Sequence, residues 1–352
     1  MSTLRLLRFG VDTLEAQVAG DLALRIRGDL EKGKADAMAD DAPVPYMLNG
    51  IDFFIQPRGL RFHPYLLDNE LMALRVTPSK TMPMVSLRLS AYGLARMGHE
   101  ALYALCLACC AELGANQEVN LSRIDLARDY QGFAPTREEM DGVRSRMRRR
   151  SHIEDGVGET FMYGHGPLVH RTYNKTAQAK AKSLDWWHEI HEACEGYEPG
   201  ADVWRSEMQY RRQVLKELGA HSVQDAFERL DELFAWGMTE VELRVPQNDA
   251  NITRWPVDPR WKAIREVDGQ RSSLTRIRKT PAMLSRHEAM KRVVSAASTF
   301  AAYEDVADFY ALAPRLVNEI LDYLHDEEVD FAGLVETKRR RLGHSRFGEE
   351  PF

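Results

Sequence analysis

Polar and apolar residues alternate along Val169–Lys175 (VHRTYNK), as on a half-buried strand, where side chains point to opposite faces every second residue. On that rule Arg171, Tyr173 and Lys175 share a face. The same alternation over Val203–Arg211 gathers Arg205, Glu207, Gln209 and Arg211, with Trp204, Met208 and Tyr210 behind them. A third segment, Ile124–Tyr130 (IDLARDY), sets Asp125 and Asp129 on one side of a strand. If the three strands are neighbours, a phenol, carboxylates and guanidinium groups converge on one sheet surface. That set suits chemistry on a phosphodiester.

Further strands are expected at Leu4–Phe9, Glu15–Val18, Gly50–Gln56, Leu71–Thr77, Met84–Leu89 and Glu159–Gly164, with the three above assigned as Ser122–Tyr130, Leu168–Asn174 and Val203–Tyr210. Helices are expected at Leu22–Met38, Ala91–Leu113, Thr136–Arg150 and Ala177–Cys194. Thr136 with Glu139 forms a capping-box signature, in which the threonine accepts a backbone N–H and the glutamate returns the bond. After Gly219 the pattern changes: an amphipathic helix at Ser222–Trp236, a short strand at Glu240–Val245, a polar link through Pro259, then helices near Ser285–Ser298, Glu304–Leu312 and Ala313–His325. The class expected is α+β: a central antiparallel sheet built from two β-α-β-type halves with flanking helices, plus a mainly helical C-terminal region. The domains are then a core at 1–218, with halves about 1–115 and 116–218, and a partly basic region at 219–352.

At 352 residues and 44% hydrophobic content, the chain can bury one large core or two smaller ones. A net charge of -6 excludes a uniformly basic coat for nucleic acid, so local asymmetry matters more. Arg260–Arg292 holds ten basic residues against three acidic ones, and Arg144–Arg150 and Lys338–Arg341 are two further basic clusters, whereas Asp322–Asp330 is acidic. Such runs are either solvated helix faces or phosphate contacts. Cys106, Cys109 and Cys110 fall in one apolar helical stretch and Cys194 stands alone, so no zinc-site pattern is present and a reducing cytoplasm fits. No signal peptide and no run of membrane-spanning length is visible, and no membrane association is expected. The histidines of His188–Glu192 (HEIHE) are three apart, not the four that a zinc protease needs. Neither a Walker phosphate loop nor a dinucleotide fingerprint occurs, so helicase activity would have to come from a partner.

The ordered set RIDLARD (Arg123–Asp129), a G-E-T strand leading to R-T-Y-N-K (Arg171–Lys175) and WRSEMQYRR (Trp204–Arg212) resembles the replication initiation factors of rolling-circle plasmids and filamentous phages. Leu4–Gly20 is similar to the opening of those proteins, and Arg254–Trp261 (RWPVDPRW) resembles a tail motif of the phage-type members, so the match spans roughly residues 4–265 in order. The resemblance implies a nicking and strand-transfer enzyme, in which a tyrosine attacks one strand at the origin, becomes joined to the 5′ phosphate and frees a 3′ hydroxyl as primer. Carried over, Tyr173 is the nucleophile, Asp125 and Glu207 serve a divalent metal ion, Mg²⁺ or Mn²⁺, and Asn174 and Lys175 flank the substrate.

The residues allow those roles on chemical grounds. A phenol of ordinary pKa about 10 is a poor nucleophile at neutral pH until cations or a base favour the phenolate, and Arg171 and Lys175 are placed to help. Carboxylates at Asp125, Asp129 and Glu207 are hard oxygen ligands of the kind such ions prefer. For Asp129 a salt bridge with an arginine stands equally open. Tyr163, Tyr130 and Tyr210 lack a basic flank and are expected to pack. Contacts to DNA are expected from Asn174, Arg205, Arg211, Arg276, Arg278 and Lys279. Trp255 and Trp261 either stack on unpaired bases or pack the tail onto the core, the second being preferred. The partners implied are origin DNA, duplex and single-stranded, a host helicase and polymerase, and a second copy of the chain. Two other readings stay open: a non-catalytic DNA-binding or copy-control protein on the same fold, and a metal-dependent nuclease using water.

Overall fold

The computed structural model describes residues 3–147, 150–154, 159–249, 251–267, 274–276 and 286–336. They fall into two compact units, Met1–Ile277 and Arg278–Phe352. The first unit opens with β1 (Arg5–Val18), α1 (Leu24–Asp40), β2 (Val44–Leu48), β3 (Ile51–Ile55), β4 (Tyr65–Asp68), β5 (Met72–Val76), β6 (Val85–Leu89), α2 (Ala91–Met97) and α3 (His99–Leu113). It continues with β7 (Val119–Gln131), α4 (Arg137–Asp141), β8 (Val143–Ser145), β9 (Arg150–Glu154), β10 (Glu159–His165), β11 (Leu168–Asn174), α5 (Lys175–Ala181), α6 (Trp186–Glu192) and β12 (Trp204–Arg211). Then come α7 (Arg212–Glu217), α8 (Val223–Phe227), α9 (Leu230–Glu240), β13 (Val241–Leu243) and α10 (Pro259–Arg265). The second unit holds α11 (Arg286–Tyr303) and α12 (Phe309–Asp326).

Among the described residues, eleven strands form one antiparallel sheet in the order β2-β3-β4-β5-β6-β1-β7-β12-β11-β10-β9. Its spine is the long pairing of β1 with β7, from Arg5 opposite Gln131 to Val18 opposite Val119. The first half hangs on β1 through β6 and the second on β7 through β12. The class is α+β, with helices flanking an antiparallel sheet. One apolar cluster runs through both halves: it includes Leu14, Leu74 and Leu87 with Leu102 and Cys106 of α3, and Leu126, Met208 and Tyr210 with Phe234 and Met238 of α9. Val223, Phe227, Trp261 and Ile264 belong to the same cluster, so residues after Gly219 share the core of the sheet. Packing there is close enough that a Cβ on Gly237 would sit 2.0 Å from the hydroxyl of Tyr210 and 2.7 Å from Cε of Met208.

Several elements differ from the sequence expectation. Leu4–Phe9 and Glu15–Val18 are one strand, because pairing with β7 carries the backbone through Gly10–Thr13. Thr136–Arg150 is not one helix. The capping box forms, but the helix ends at Asp141, and Val143–Ser145 pairs with β13, where Arg144 lies opposite Glu242. Ala91–Leu113 breaks at Gly98, whose φ of +81 lies in the left-handed region open to glycine. Ala177–Cys194 is two short helices, and Ser222–Trp236 divides between α8 and α9. Strands β2, β4, β8 and β9 have no counterpart in the sequence expectation; β2 and β4 are held by pairing with β3 and β5. In the second unit the two expected helices after Glu304 are one, with Pro314 near its start and Asp308 as its N-cap. Among the described residues, no helix is long and apolar enough to cross a membrane.

Candidate active site

Strands β11, β12 and β7 lie side by side. Tyr173 stands opposite Arg205 and Arg205 opposite Asp129; Arg171 stands opposite Glu207 and Glu207 opposite Ala127; Gln209 stands opposite Asp125. Period-two alternation therefore sets Arg171, Tyr173, Arg205, Glu207, Gln209, Asp125 and Asp129 on one sheet surface. The row through Glu207 continues into Ala127 and Gly10, its smallest side chains.

The phenol of Tyr173 donates to Oε2 of Glu207 at 2.9 Å, and Arg171 donates to Oε1 of the same carboxylate at 3.0 Å and to Oε1 of Gln209 at 3.1 Å. Tyr173 is only 5% exposed. Burial, then the neighbouring Glu207, pushes its hydroxyl well above the ordinary phenol range, with Arg205 opposing. The phenol is therefore held protonated at rest. Next along β7, Arg123 donates through Nε to Oδ1 of Asp125 at 2.8 Å and through a second nitrogen to Oδ2. Burial nevertheless pushes the Asp125 carboxyl up to about 7, with Glu207 and Asp12 adding to the rise and Arg123 opposing it.

Asp129 is different. Both of its oxygens are taken: Arg205 donates to them at 2.6 and 2.7 Å, and Nε2 of His191 lies 2.9 Å from Oδ2. These partners hold its carboxyl far below the ordinary range despite burial. Of the two roles open to Asp129, the salt bridge with Arg205 is present, and its oxygens face protein partners as those of Asp125 and Glu207 also do. Arg205 is fully buried and also bonds Asp12, so it braces the acidic residues from within and presents no surface to DNA.

Lys175 begins α5 and is 4% exposed. Its ammonium donates to Oε1 of Gln178 at 2.9 Å and lies 4.4 Å from the centre of the Trp187 ring and 5.9 Å from that of Tyr173. Burial, assisted by Arg205, lowers its pKa to about 7. Asn174 is the N-cap of α5: Oδ1 accepts from the Ala177 N–H at 2.9 Å and Nδ2 donates to Asp202 at 2.8 Å, so the amide is spent on the fold. Arg211 is exposed at the end of β12, opposite Arg123. Arg276 is paired with Glu217 at 2.5 Å, away from this surface group, while Arg278 and Lys279 lie outside the described residues.

The competing tyrosines lie on the core side. Tyr163 is 1% exposed and donates to the Met140 carbonyl, Tyr210 donates to that of Leu233, and Tyr130 is fully buried. Trp261 is buried too, its indole donating to the Val241 carbonyl at 2.9 Å, so of its two roles it packs.

Three residues escaped the sequence reading. Asp12 is the extra residue of a β-bulge between Val11 opposite Leu126 and Thr13 opposite Asp125, the device by which strands re-aim a side chain. Its sequence context carries no sign of this. His191 and Trp187 come from α6, which lies over Asp129 and Arg205; the signal for His191 was the HEIHE segment read as an exposed helix, and Trp187, just before it, had none.

Among the described residues, no three His, Cys, Asp or Glu side chains stand together as a metal site. Asp125 and Glu207 do supply two mutually repelling carboxylates. Mg²⁺ is commonly held by one or two carboxylates together with waters and substrate phosphates, so the donor set is of the right chemistry.

No family model matches the chain. Over 129 residues it is 30% identical to the uncharacterized protein ORF430 of Pseudomonas phage Pf1, a match covering 30% of this chain and 30% of the phage protein's length. Among solved structures it is similar to a rolling circle replication initiator protein from Geobacillus stearothermophilus, at 19% identity and a TM-score of 0.48, covering 74% of this chain and 95% of that one.

Proposed function

We propose that the chain is a replication initiation factor of the rolling-circle type, which nicks and rejoins origin DNA through Tyr173. The observation that carries the reading is the bond from the Tyr173 phenol to Glu207 on a surface that also holds Arg171, Lys175 and Asp125. In the first step the phenolic oxygen forms a bond to phosphorus as the bond from phosphorus to the 3′ oxygen breaks. The phenolic proton passes to Glu207, and the departing oxygen takes a proton from water, leaving a 3′ hydroxyl primer and a 5′-phosphotyrosine. Arg171 orients Glu207, and Lys175 and Arg205 favour the phenolate as it forms. Asp125 and Glu207 would hold Mg²⁺ or Mn²⁺, which when bound offsets charge on the non-bridging oxygens. Partners on this reading are the duplex and single-stranded origin, a host helicase and polymerase and a second copy, in the cytoplasm of a bacterial host.

The test is incubation with supercoiled DNA of its own replicon and Mg²⁺ or Mn²⁺. Nicked circles with protein attached at Tyr173 support the reading, and nicked circles free of protein favour hydrolysis by water instead. Burial of the phenol favours a second reading, a DNA-binding or copy-control protein without catalysis. Origin binding with no nicking under either metal ion would establish it.

A further inference from the structure

Beside the site lies a cavity of about 400 Å³ between α5, α6 and the loop that leads into β12. That size falls within the roughly 300–1,000 Å³ of pockets that hold small ligands. Its walls include Leu184 and the rings of Trp187, His188 and Tyr197. Lys175 borders the cavity as well, its ammonium 4.4 Å from the centre of the Trp187 ring and 5.9 Å from that of Tyr173. The indole N–H of Trp187 is buried and has no hydrogen-bond partner in the structure. The two lysines of the lining, Lys175 and Lys180, are matched by two carboxylates, Asp185 and Asp202.

A lining whose two lysines are matched by two carboxylates, with aromatic walls, does not suit a phosphate, which would select a net positive pocket. They suit a neutral, planar group with polar edges. We infer that this cavity receives one unpaired nucleobase of the single-stranded substrate, the neighbour of the phosphate presented to Tyr173. The inference rests on the reading of Tyr173 as nucleophile and adds to it the seat of a flanking base. On a single-stranded substrate the bases beside the reacting phosphate are unstacked, and aromatic side chains that stack on them offset the lost base stacking. Asp185, at the rim, can accept from the N–H groups on a base edge. The HEIHE segment thereby has a use: His191 holds Asp129 while His188, with Trp187 just before the segment, lines the cavity.

The probe is a single strand of about twenty nucleotides and mixed sequence, with 5-iododeoxyuridine in place of thymidine, irradiated at saturating concentration with the full chain carrying Tyr173→Phe. Crosslinks to Trp187, His188 or Tyr197 are expected. Tyr197→Ala, at a half-exposed position, should weaken binding of the strand about five- to hundredfold. Tyr197→Phe, which keeps the ring, should bind as the parent does. Crosslinks that avoid residues 184–203, or unchanged affinity in Tyr197→Ala, overturn the inference. The two failures are distinguishable: a Tyr173 adduct in the unmodified chain without pocket crosslinks sinks the base pocket alone, whereas pocket crosslinks without any adduct sink the nicking chemistry alone.

Discussion

Tyr173 and Glu207 meet diagonally across β11 and β12: each stands opposite an arginine of the other strand, Arg205 and Arg171, and the phenol spans the diagonal to the carboxylate at 2.9 Å. The geometry makes Glu207 the nearest base to the phenol while Arg171 occupies its other oxygen. A buried phenol held above its ordinary range gains nucleophilicity only when that bond gives up its proton.

Tyr173→Phe should therefore lower formation of a covalent DNA adduct by at least about 10³-fold. The fold should survive, since the substitution removes only one hydrogen bond, and circular dichroism should be unchanged. Mass spectrometry of the DNA-linked peptide is the check. An adduct on Tyr163 or Tyr210 in the unmodified protein would move the nucleophile.

Asp129→Ala removes the main partner of Arg205, which has no exposed surface. An uncompensated buried charge typically costs about 3–5 kcal/mol. Asp12 still holds one guanidinium nitrogen, so the lower end is expected. Urea unfolding measures it, and a loss under about 1 kcal/mol would mean that Asp129 does not brace the site.

Asp125 and Lys175 should give stability opposite slopes with pH. Burial raises Asp125 to about 7, so the folded state holds its proton more tightly, and stability falls as pH rises from about 4 to about 7. Burial lowers Lys175 to about 7, so the unfolded state binds the extra proton, and stability rises from about pH 7 to about pH 10. Asp125→Asn should remove the first slope and Lys175→Met the second. Urea midpoints at intervals across that range test both. Binding of Mn²⁺ should also tighten as pH rises through about 7, where the cation ceases to compete with the Asp125 proton.

Arg276 and its neighbours should behave differently. The guanidinium of Arg276 is paired with Glu217, so Arg276→Ala should cost about 1 kcal/mol of stability and leave the salt dependence of DNA binding unchanged. Joint replacement of Arg278 and Lys279 by alanine should instead flatten the log-log salt slope by roughly 0.9 for each phosphate that the variant no longer neutralises. An unchanged slope in that double variant would assign the basic stretch to solvated surface.

Alternation of polar and apolar residues was enough to put Arg171 with Tyr173, Arg205 with Glu207 and Asp125 with Asp129 on one face of each strand, because the side-chain period of a strand is set by its backbone and needs no partner. The joining of the three faces into one surface rests on the pairing of β11, β12 and β7. Segments whose pairing partner lies far along the chain were not legible in this way. Val143–Ser145 reads as helix until β13, about a hundred residues later, supplies its hydrogen bonds. The same holds for the bend between α5 and α6, which is local in place but enforced by packing over β12.

By itself, then, the sequence determined which strands carry the candidate site residues and which face of each strand they share. Only the tertiary structure decided which partner each of those groups meets. Glu207 bonds Tyr173 and Arg171 while Asp129 bonds Arg205 and His191, although both are carboxylates on the same face of neighbouring strands. Asp12 enters through a bulge that the partner strand imposes, and Trp187 and His191 enter because α6 folds back over the sheet. The reason is physical: periodicity sets direction, but burial, charge pairing and proton affinity depend on what lies within a few ångströms, and those neighbours come from all along the chain.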